Sequence, residues 1–226
     1  MNQLSSVFLS LVAFQIGVLI YKKTKITLLN PLLIGIILVI FTLVTLNIPL
    51  SEYSKDTQII TFFLGPATVV LAVPLYNQMD ILKKNIIPIL VGITVGSASA
   101  ILSVIILSKL VGLDRDVLIS ILPKSITTAI GIEITKTLNA DTALTIVAIV
   151  ATGIVGAAIG PVICKWSKID NSIAKGIAIG TASHAVGTSK AIELGEVEGA
   201  MSGLAIGIAG IITVFLIPLF MLFIEL

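Results

Sequence analysis

Gly180-Thr181-Ala182-Ser183-His184-Ala185-Val186-Gly187-Thr188-Ser189-Lys190 stands inside an otherwise apolar stretch that runs from Ile173 to Leu194. The stretch is close to the ~20 residues a membrane-crossing helix needs. Its centre is poorly suited to an ordinary helix in lipid. Each glycine lowers helix propensity by ~1 kcal/mol. An ionisable side chain near the bilayer centre costs at least ~2.5–3.5 kcal/mol unless it finds a partner or water. Two further breaks share this character. Leu122-Pro123-Lys124-Ser125-Ile126-Thr127-Thr128 interrupts Val117–Leu138, and Leu64-Gly65-Pro66-Ala67-Thr68, with Val73-Pro74 beyond it, interrupts Gln58–Tyr76. Proline removes a backbone donor and turns the preceding residue away from helix. In lipid every freed backbone group must be satisfied, so such breaks belong where the chain is buried in protein or lines a wet cavity. For Pro66 and Pro74 a simple helix kink is the competing reading. At the other two breaks, charges and clustered hydroxyls coincide with the interruption.

Composition sets the frame. The chain has 226 residues, 57% apolar and 12% charged, with a mean hydropathy of +1.16. Soluble domains carry about 25% charged residues. A chain this poor in charge cannot cover a water-exposed surface, which excludes a soluble enzyme, a disordered tail and a nucleic-acid binder. A net charge of +2 implies no anionic macromolecular partner. Cys164, the single cysteine, has no disulfide mate and no metal-ligand spacing. Trp166 lies beside basic residues, as interfacial aromatics do.

The expected fold is therefore an all-α polytopic membrane protein. Eight membrane-embedded segments are expected: Leu4–Tyr21, Leu28–Leu46, Gln58–Tyr76, Ile86–Leu110, Val117–Leu138, Thr142–Cys164, Ile173–Leu194 and Gly199–Phe223. In the first, uncharged residues precede the apolar run and Lys22, Lys23 and Lys25 follow it. That is the reverse of a cleavable signal, and it predicts a retained span with its N-terminus outside.

An offset of 115 residues sets Gly65 beside Gly180, Ala67 beside Ala182, Thr68 beside Ser183, Gly92 beside Gly207 and Ile93 beside Ile208. Charge placement adds to this. Lys83 and Lys84 follow the third segment, whereas Glu193, Glu196 and Glu198 follow the seventh. Lys165, Lys168 and Lys175 follow the sixth, whereas Glu52, Lys55 and Asp56 follow the second. Basic loops face the cytoplasm. The pattern predicts two halves, 1–112 and 113–226, inverted relative to one another. Inversion needs an odd number of crossings per half, so either one broken segment per half is re-entrant or one long segment is a hairpin. Inverted repeats with broken helices are a transporter architecture; a duplicated bundle without transport is the alternative.

The intramembrane polar groups suggest a ligand class. Lys124, His184 and Lys190 are cationic or titratable, and Ser125, Thr127, Thr128, Thr188 and Ser189 bring hydroxyls. Ammonium groups, hydroxyls and free N–H groups at half-helix N-termini favour an anion. No acidic pair inside the spans offers a cation cage, so a small carboxylate fits better than a metal. Backbone N–H groups near Pro66 and Thr68 would join the site. His184, with Glu193 nearby, would gate or carry a proton. Plainer roles compete with each assignment: Lys190 pairing with Glu193 one turn on, His184 as a satisfied core residue, Lys124 snorkelling, and hydroxyls bonding neighbouring carbonyls. No HExxH, no phosphate loop and no triad-like set points to an enzyme, and no cofactor is implied. The glycines at 153, 156 and 160, and at 203, 207 and 210, are spaced for close helix packing.

Phe63–Thr68 with Ala72–Tyr76, then Leu122–Thr128, then Ala182–Ala191 with Glu193–Ala200, resemble the LrgB/CidB family of bacterial membrane proteins along nearly the whole chain. Ala129 stands where many members carry proline. The resemblance implies a single multi-pass domain over 1–226 in the bacterial cytoplasmic membrane. It also implies an antiholin-like label tied to murein hydrolase control and autolysis, and kinship with the plastid glycolate/glycerate translocator. A small LrgA/CidA-type membrane partner, a pyruvate-, glycolate- or lactate-like substrate and a homo-oligomer belong to the same set of expectations.

Overall fold

The computed structural model describes residues 2–24, 26, 29–63, 66 and 72–224. Every regular element among them is a helix. The coordinates divide into two compact units, Met1–Val70 and Leu71–Leu226. The repeat boundary expected at 112/113 lies inside the second unit.

In the first unit, α1 (Gln3–Thr24) packs on α2 (Pro31–Thr45), followed by the short α3 (Leu50–Asp56) and α4 (Gln58–Phe62). Asn30 caps α2 by accepting from Leu32 N, and Pro31 opens the helix, where its missing N–H costs nothing. Gly17 lets α1 meet α2: a Cβ there would sit 2.8 Å from Pro31 Cα. Polar side chains tie α1 to the α3 region. Ser6 Oγ donates to Asp56 at 2.8 Å, and Ser10 Oγ meets Tyr53 Oη at 2.7 Å.

The second unit starts with α5 (Ala72–Asn77) and α6 (Met79–Lys84). It continues with α7 (Ile86–Val111), α8 (Arg115–Ile121), α9 (Thr128–Thr137), α10 (Thr142–Trp166), α11 (Ser172–Leu194) and α12 (Glu196–Ile224). Four described helices, α1, α7, α10 and α12, are long and apolar enough to cross a membrane, and α2 is a shorter apolar helix. The chain is a membrane protein, and these four helices fall on the first, fourth, sixth and eighth of the expected segments.

The fifth expected segment is a hairpin. Thr145 near the start of α10 donates to the Ser120 carbonyl at 2.7 Å, and its Oγ1 lies 2.8 Å from Thr135 Oγ1. The ends of α8 and α9 thus sit at one level. Leu122 packs beside Ile101, and the turn Leu122–Thr127 reaches the middle of α7. Thr127 caps α9, accepting from Ile130 N at 3.5 Å. The buried Pro123 lies in this turn, where it cannot break a ladder.

The seventh segment is a hairpin too. Ser183 (φ −133°, ψ 15°) and His184 (φ 43°, ψ −137°) leave helical geometry inside α11. Ile179 and Ala191 share one apolar cluster, although twelve residues of continuous helix would set them about 18 Å apart. Gly180 and Thr188, from the two halves, both meet Ser202 of α12. The chain therefore enters, reverses at Ser183–His184 and leaves on the side it came from.

Packing registers fix the directions. Gly92 and Gly96 of α7 meet Ile177 and Thr181, so α7 runs parallel to the first half of α11. Gly153 and Gly160 of α10 meet His184 and Ile179, so α10 runs the other way. Ile89 and Ile93 cluster with Ala200, Met201 and Ala205, while Ile101 clusters with Ile217. Hence α7 and α12 are parallel. The 115-residue offset pairs these two helices as inverted counterparts, and their shared direction departs from that expectation. The two hairpins enter from opposite faces of the unit, the first beside the end of α7 and the second beside its start. The lysines at 83, 84, 165, 168 and 175 gather at the face where α7 and α11 begin, as expected for basic loops on one side. The third segment falls on α4, α5 and residues outside the described set.

Candidate functional site

The two hairpin tips border a groove of about 850 Å³ between α7, the Leu122–Thr127 turn and the first half of α11. Its α7 wall is built from small residues, Gly92, Gly96, Ser99, Ala100 and Ser103. Spacings of three and four put these on one helix face. The opposite wall carries Ala174, Ile177, Ala178, Thr181 and Ala182, and Asn85 and Asn171 stand at one end. Lys124 and Ser125 come from the turn. Lys124 is the one charged side chain among the described lining residues, and its Nζ donates to Ser125 Oγ at 3.3 Å. That contact is long for a charge-assisted hydrogen bond, and Lys124 itself lines the groove.

The remaining residues singled out from sequence are distributed around this groove. Thr127 caps α9, and Thr128 begins it, half-buried. His184 is buried, with Nε2 2.9 Å from the Ile149 carbonyl. Thr188 donates to the His184 carbonyl at 2.9 Å and meets Ser202 Oγ at 2.7 Å. Ser189 is exposed and donates to Ala185 O at 3.3 Å. Lys190 pairs with Glu193 at 2.6 Å, with 25% and 52% of the two side chains exposed. None of these lines the groove among the described residues. Pro66 is an exposed residue of the first unit, and Thr68 lies outside the described residues. The structure thus brings Lys124 and Ser125 together with Thr181. It gives His184, Thr188 and Lys190 partners within the second hairpin and its neighbours.

Close approach explains the glycines. A Cβ on Gly153 would stand 2.7 Å from His184 Cε1, and one on Gly156 would fall on the Ser183 side chain. These two glycines of α10 make room for the hairpin tip. Sequence reasoning did not select Ser99, Ser103, Asn85 or Thr181. The usable signal was the recurrence of small and hydroxylic residues at 92, 96, 99 and 103, which marks one face of an apolar helix.

Comparison with known proteins decides the family. The LrgB-like family matches residues 10–223. The chain belongs to the LrgB-like family. Proteins of Bacillus cereus and Bacillus anthracis named antiholin-like protein LrgB are 41% identical over 219 residues, covering 96% of this chain and 95% of theirs. No solved structure matches. In this LrgB-like protein, two of the stretches that carried the resemblance are hairpin tips: Leu122–Thr128 turns the first, and Ala182–Ala191 holds the reversal of the second. Among the described residues no group of three or more His, Cys, Asp or Glu side chains could hold a metal ion.

Proposed function

We propose that this LrgB-like protein carries small monocarboxylates, of the pyruvate, glycolate or lactate kind, across the bacterial cytoplasmic membrane. The observation that carries the reading is the single ammonium of Lys124 in a groove whose described lining has no acidic residue. A cation in such a place draws one small anion. Ser125 adds a hydroxyl within the same lining, and the apolar wall suits a short carbon chain. Binding sites near the midplane, formed by interrupted helices, are a recurring feature of secondary transporters. The substrate's carboxylate pairs with Lys124. Thr127, Thr128, Thr188 and Ser189 hold the two tips in shape. Lys190 and Glu193 form an ion pair on the outgoing half of α11. Proton coupling in this reading runs through His184. Its ring fastens the reversal to α10 by donating Nε2–H to the Ile149 carbonyl, which leaves Nδ1 to take up and release the coupled proton.

An LrgA/CidA-type membrane partner completes the carrier in this proposal, and copies of the chain associate in the bilayer. The test is uptake of labelled pyruvate into proteoliposomes, with and without that partner. Uptake that rises above empty vesicles and is lost in Lys124→Met supports the carrier. Equal uptake by Lys124→Met and the parent chain removes Lys124 from the proposal.

The relatives' name, antiholin-like protein LrgB, favours a second reading, which we take as regulation of murein hydrolase activity and autolysis. It expects partner binding to survive replacement of Lys124, Ser125 and His184, and no carboxylate uptake. A pull-down with those variants, run beside the uptake assay, separates the two.

A further inference from the structure

Behind the groove lies a second, much smaller cavity of about 10 Å³, room for roughly one water-sized sphere. Ser97, Ser125, Thr181 and Thr213 line it, with Leu122 and Ile126 of the first hairpin's turn. Ser125 and Thr181 also line the groove, so they form the partition between the two spaces and the way from one to the other. Lys124 faces the groove and is absent from the described lining of the small cavity.

The hydroxyls of Ser97 and Thr181 are buried with no hydrogen-bond partner. Their neighbours behave differently. Thr94, Ser99 and Ser103 of α7 all donate to carbonyls of their own helix, as do Ser183, Thr188 and Ser189 of α11. That is the ordinary habit of serine and threonine in apolar helices. Ser97 and Thr181 have given it up, and both side chains border the same small space. Two half-helices end beside it as well: Leu122 terminates α8, and Thr181 lies in the last turn before the Ser183–His184 reversal. The carbonyl end of a helix is its negative end and favours a cation.

We infer that this cavity between the hairpin tips binds one sodium ion, held by the neutral oxygens of Ser97, Ser125, Thr181 and Thr213. A hard cation takes oxygen ligands. With no carboxylate in the described lining, the site suits a single positive charge and not two. The small volume favours sodium over potassium. Chloride is disfavoured by both helix ends and by size. The ion's binding stands apart from the carboxylate proposal; its role in transport rests on it. Sodium alone meets the ammonium of Lys124 across the Ser125–Thr181 partition, and the two repel. An anion at Lys124 cancels that repulsion. Each ligand therefore strengthens the other, by the same factor in both directions.

The experiment is equilibrium binding of radioactive sodium to the purified full-length chain in choline buffer, with and without pyruvate. The expected result is one saturable site, displaced by lithium and poorly by potassium, whose affinity rises with pyruvate. Thr181→Val and Ser97→Ala weaken it about tenfold or more, the scale of losing a ligand worth ~1.4 kcal/mol, while Thr181→Ser keeps it. Should a variant elute aggregated from size exclusion, Thr181→Ser and the sodium-dependent melting shift of the parent chain still decide. Absence of saturable binding overturns the site. So does unchanged affinity in Thr181→Val together with a raised melting temperature, the mark of a hydroxyl that faced only water or nothing. Pyruvate uptake of equal rate in sodium-free vesicles refutes the coupling and leaves the carrier standing. Sodium binding without any carboxylate uptake refutes the carrier and leaves the ion site standing.

Discussion

His184 Nε2 lies 2.9 Å from the carbonyl oxygen of Ile149, so a residue at the reversal of one hairpin is fastened to the middle of α10. The same residue has φ 43° and ψ −137°, a region that favours glycine. Its side chain and its backbone therefore pull in opposite directions. Sparsely populated backbone states cost about 1–3 kcal/mol, and one buried hydrogen bond contributes about 0.5–1.5 kcal/mol.

From this conflict comes a stability order that inverts the usual one. In an ordinary helix glycine is worse than alanine by ~1 kcal/mol. At position 184 the glycine variant relieves the backbone and the alanine variant does not, and both lose the ring. His184→Ala should melt below His184→Gly, by roughly 1 kcal/mol or more. Thermal melts of the two purified variants in detergent check this. The reverse order would mean that residue 184 sits in a helical conformation and that α11 runs straight.

Lys124 and Lys190 looked alike as cations beside hydroxyl clusters, yet they sit in different surroundings. Lys124 faces a groove without acidic lining. Lys190 has Glu193 at 2.6 Å, and both side chains are partly open to solvent. Hydrogen bonds to charged groups are worth about 1.5–3 kcal/mol, or ~10–100-fold in binding. Partly exposed ion pairs are worth about 0.2–1 kcal/mol. Lys124→Met should thus lower the initial rate of labelled pyruvate uptake at least about tenfold. Lys190→Ala should stay within about threefold of the parent and melt within about 1 kcal/mol of it.

The contrast between these two lysines shows what could be read from the chain alone. Breaks at Pro123 and at Gly180–Gly187 were legible because lipid punishes an unsatisfied backbone, and both mark hairpin turns. Their direction of travel was not legible. A kinked span and a re-entrant hairpin have the same composition, and only the contacts of Ser120, Thr135 and Thr145 tell them apart. The surroundings of Lys190 were not legible, because its partner three residues on weighs the same in sequence whether or not the pair reaches solvent. Thr181 was passed over because its role comes from the contact with α7 at Gly96, 85 positions away in the chain. The inverted halves were inferred from loop charges. The lysines at 83, 84, 165, 168 and 175 do gather on one face of the second unit, but Glu196 meets Gln78 there as well, and the parallel run of α7 and α12 shows that a shared sidedness does not require inverted helices.

Thr145 is the junction of the first hairpin. Its hydroxyl donates to Ser120 O, lies 2.8 Å from Thr135 Oγ1, and is fully buried. Valine has the same shape and no hydroxyl, so Thr145→Val should cost about 1–3 kcal/mol, the penalty of stranding its partners. Thr135→Val touches the same group. The double variant should therefore lose less than the sum of the single losses. Chemical or thermal unfolding of the four proteins closes the cycle. Strict additivity would mean that the two threonines do not meet.

The hairpins make a claim about sidedness that a labelling experiment can decide. Cys164 is the only cysteine and is buried, so Cys164→Ser gives a clean background. Leu113 and Asn139 flank the first hairpin and are exposed. Asn171 and Glu196 flank the second and are exposed as well. Single cysteines at 113 and 139 should react alike with a membrane-impermeant maleimide in intact cells. Cysteines at 171 and 196 should also react alike, with the opposite accessibility. The lysines at 165, 168 and 175 neighbour the second pair, and basic loops lie inside, so positions 171 and 196 should be protected until the cells are opened. Were 113 and 139 to differ, Val117–Leu138 would be an ordinary span. Lys124 would then lie part-way along a crossing helix and not at a turned tip, and the groove that gathers Lys124, Ser125 and Thr181 would lose its floor.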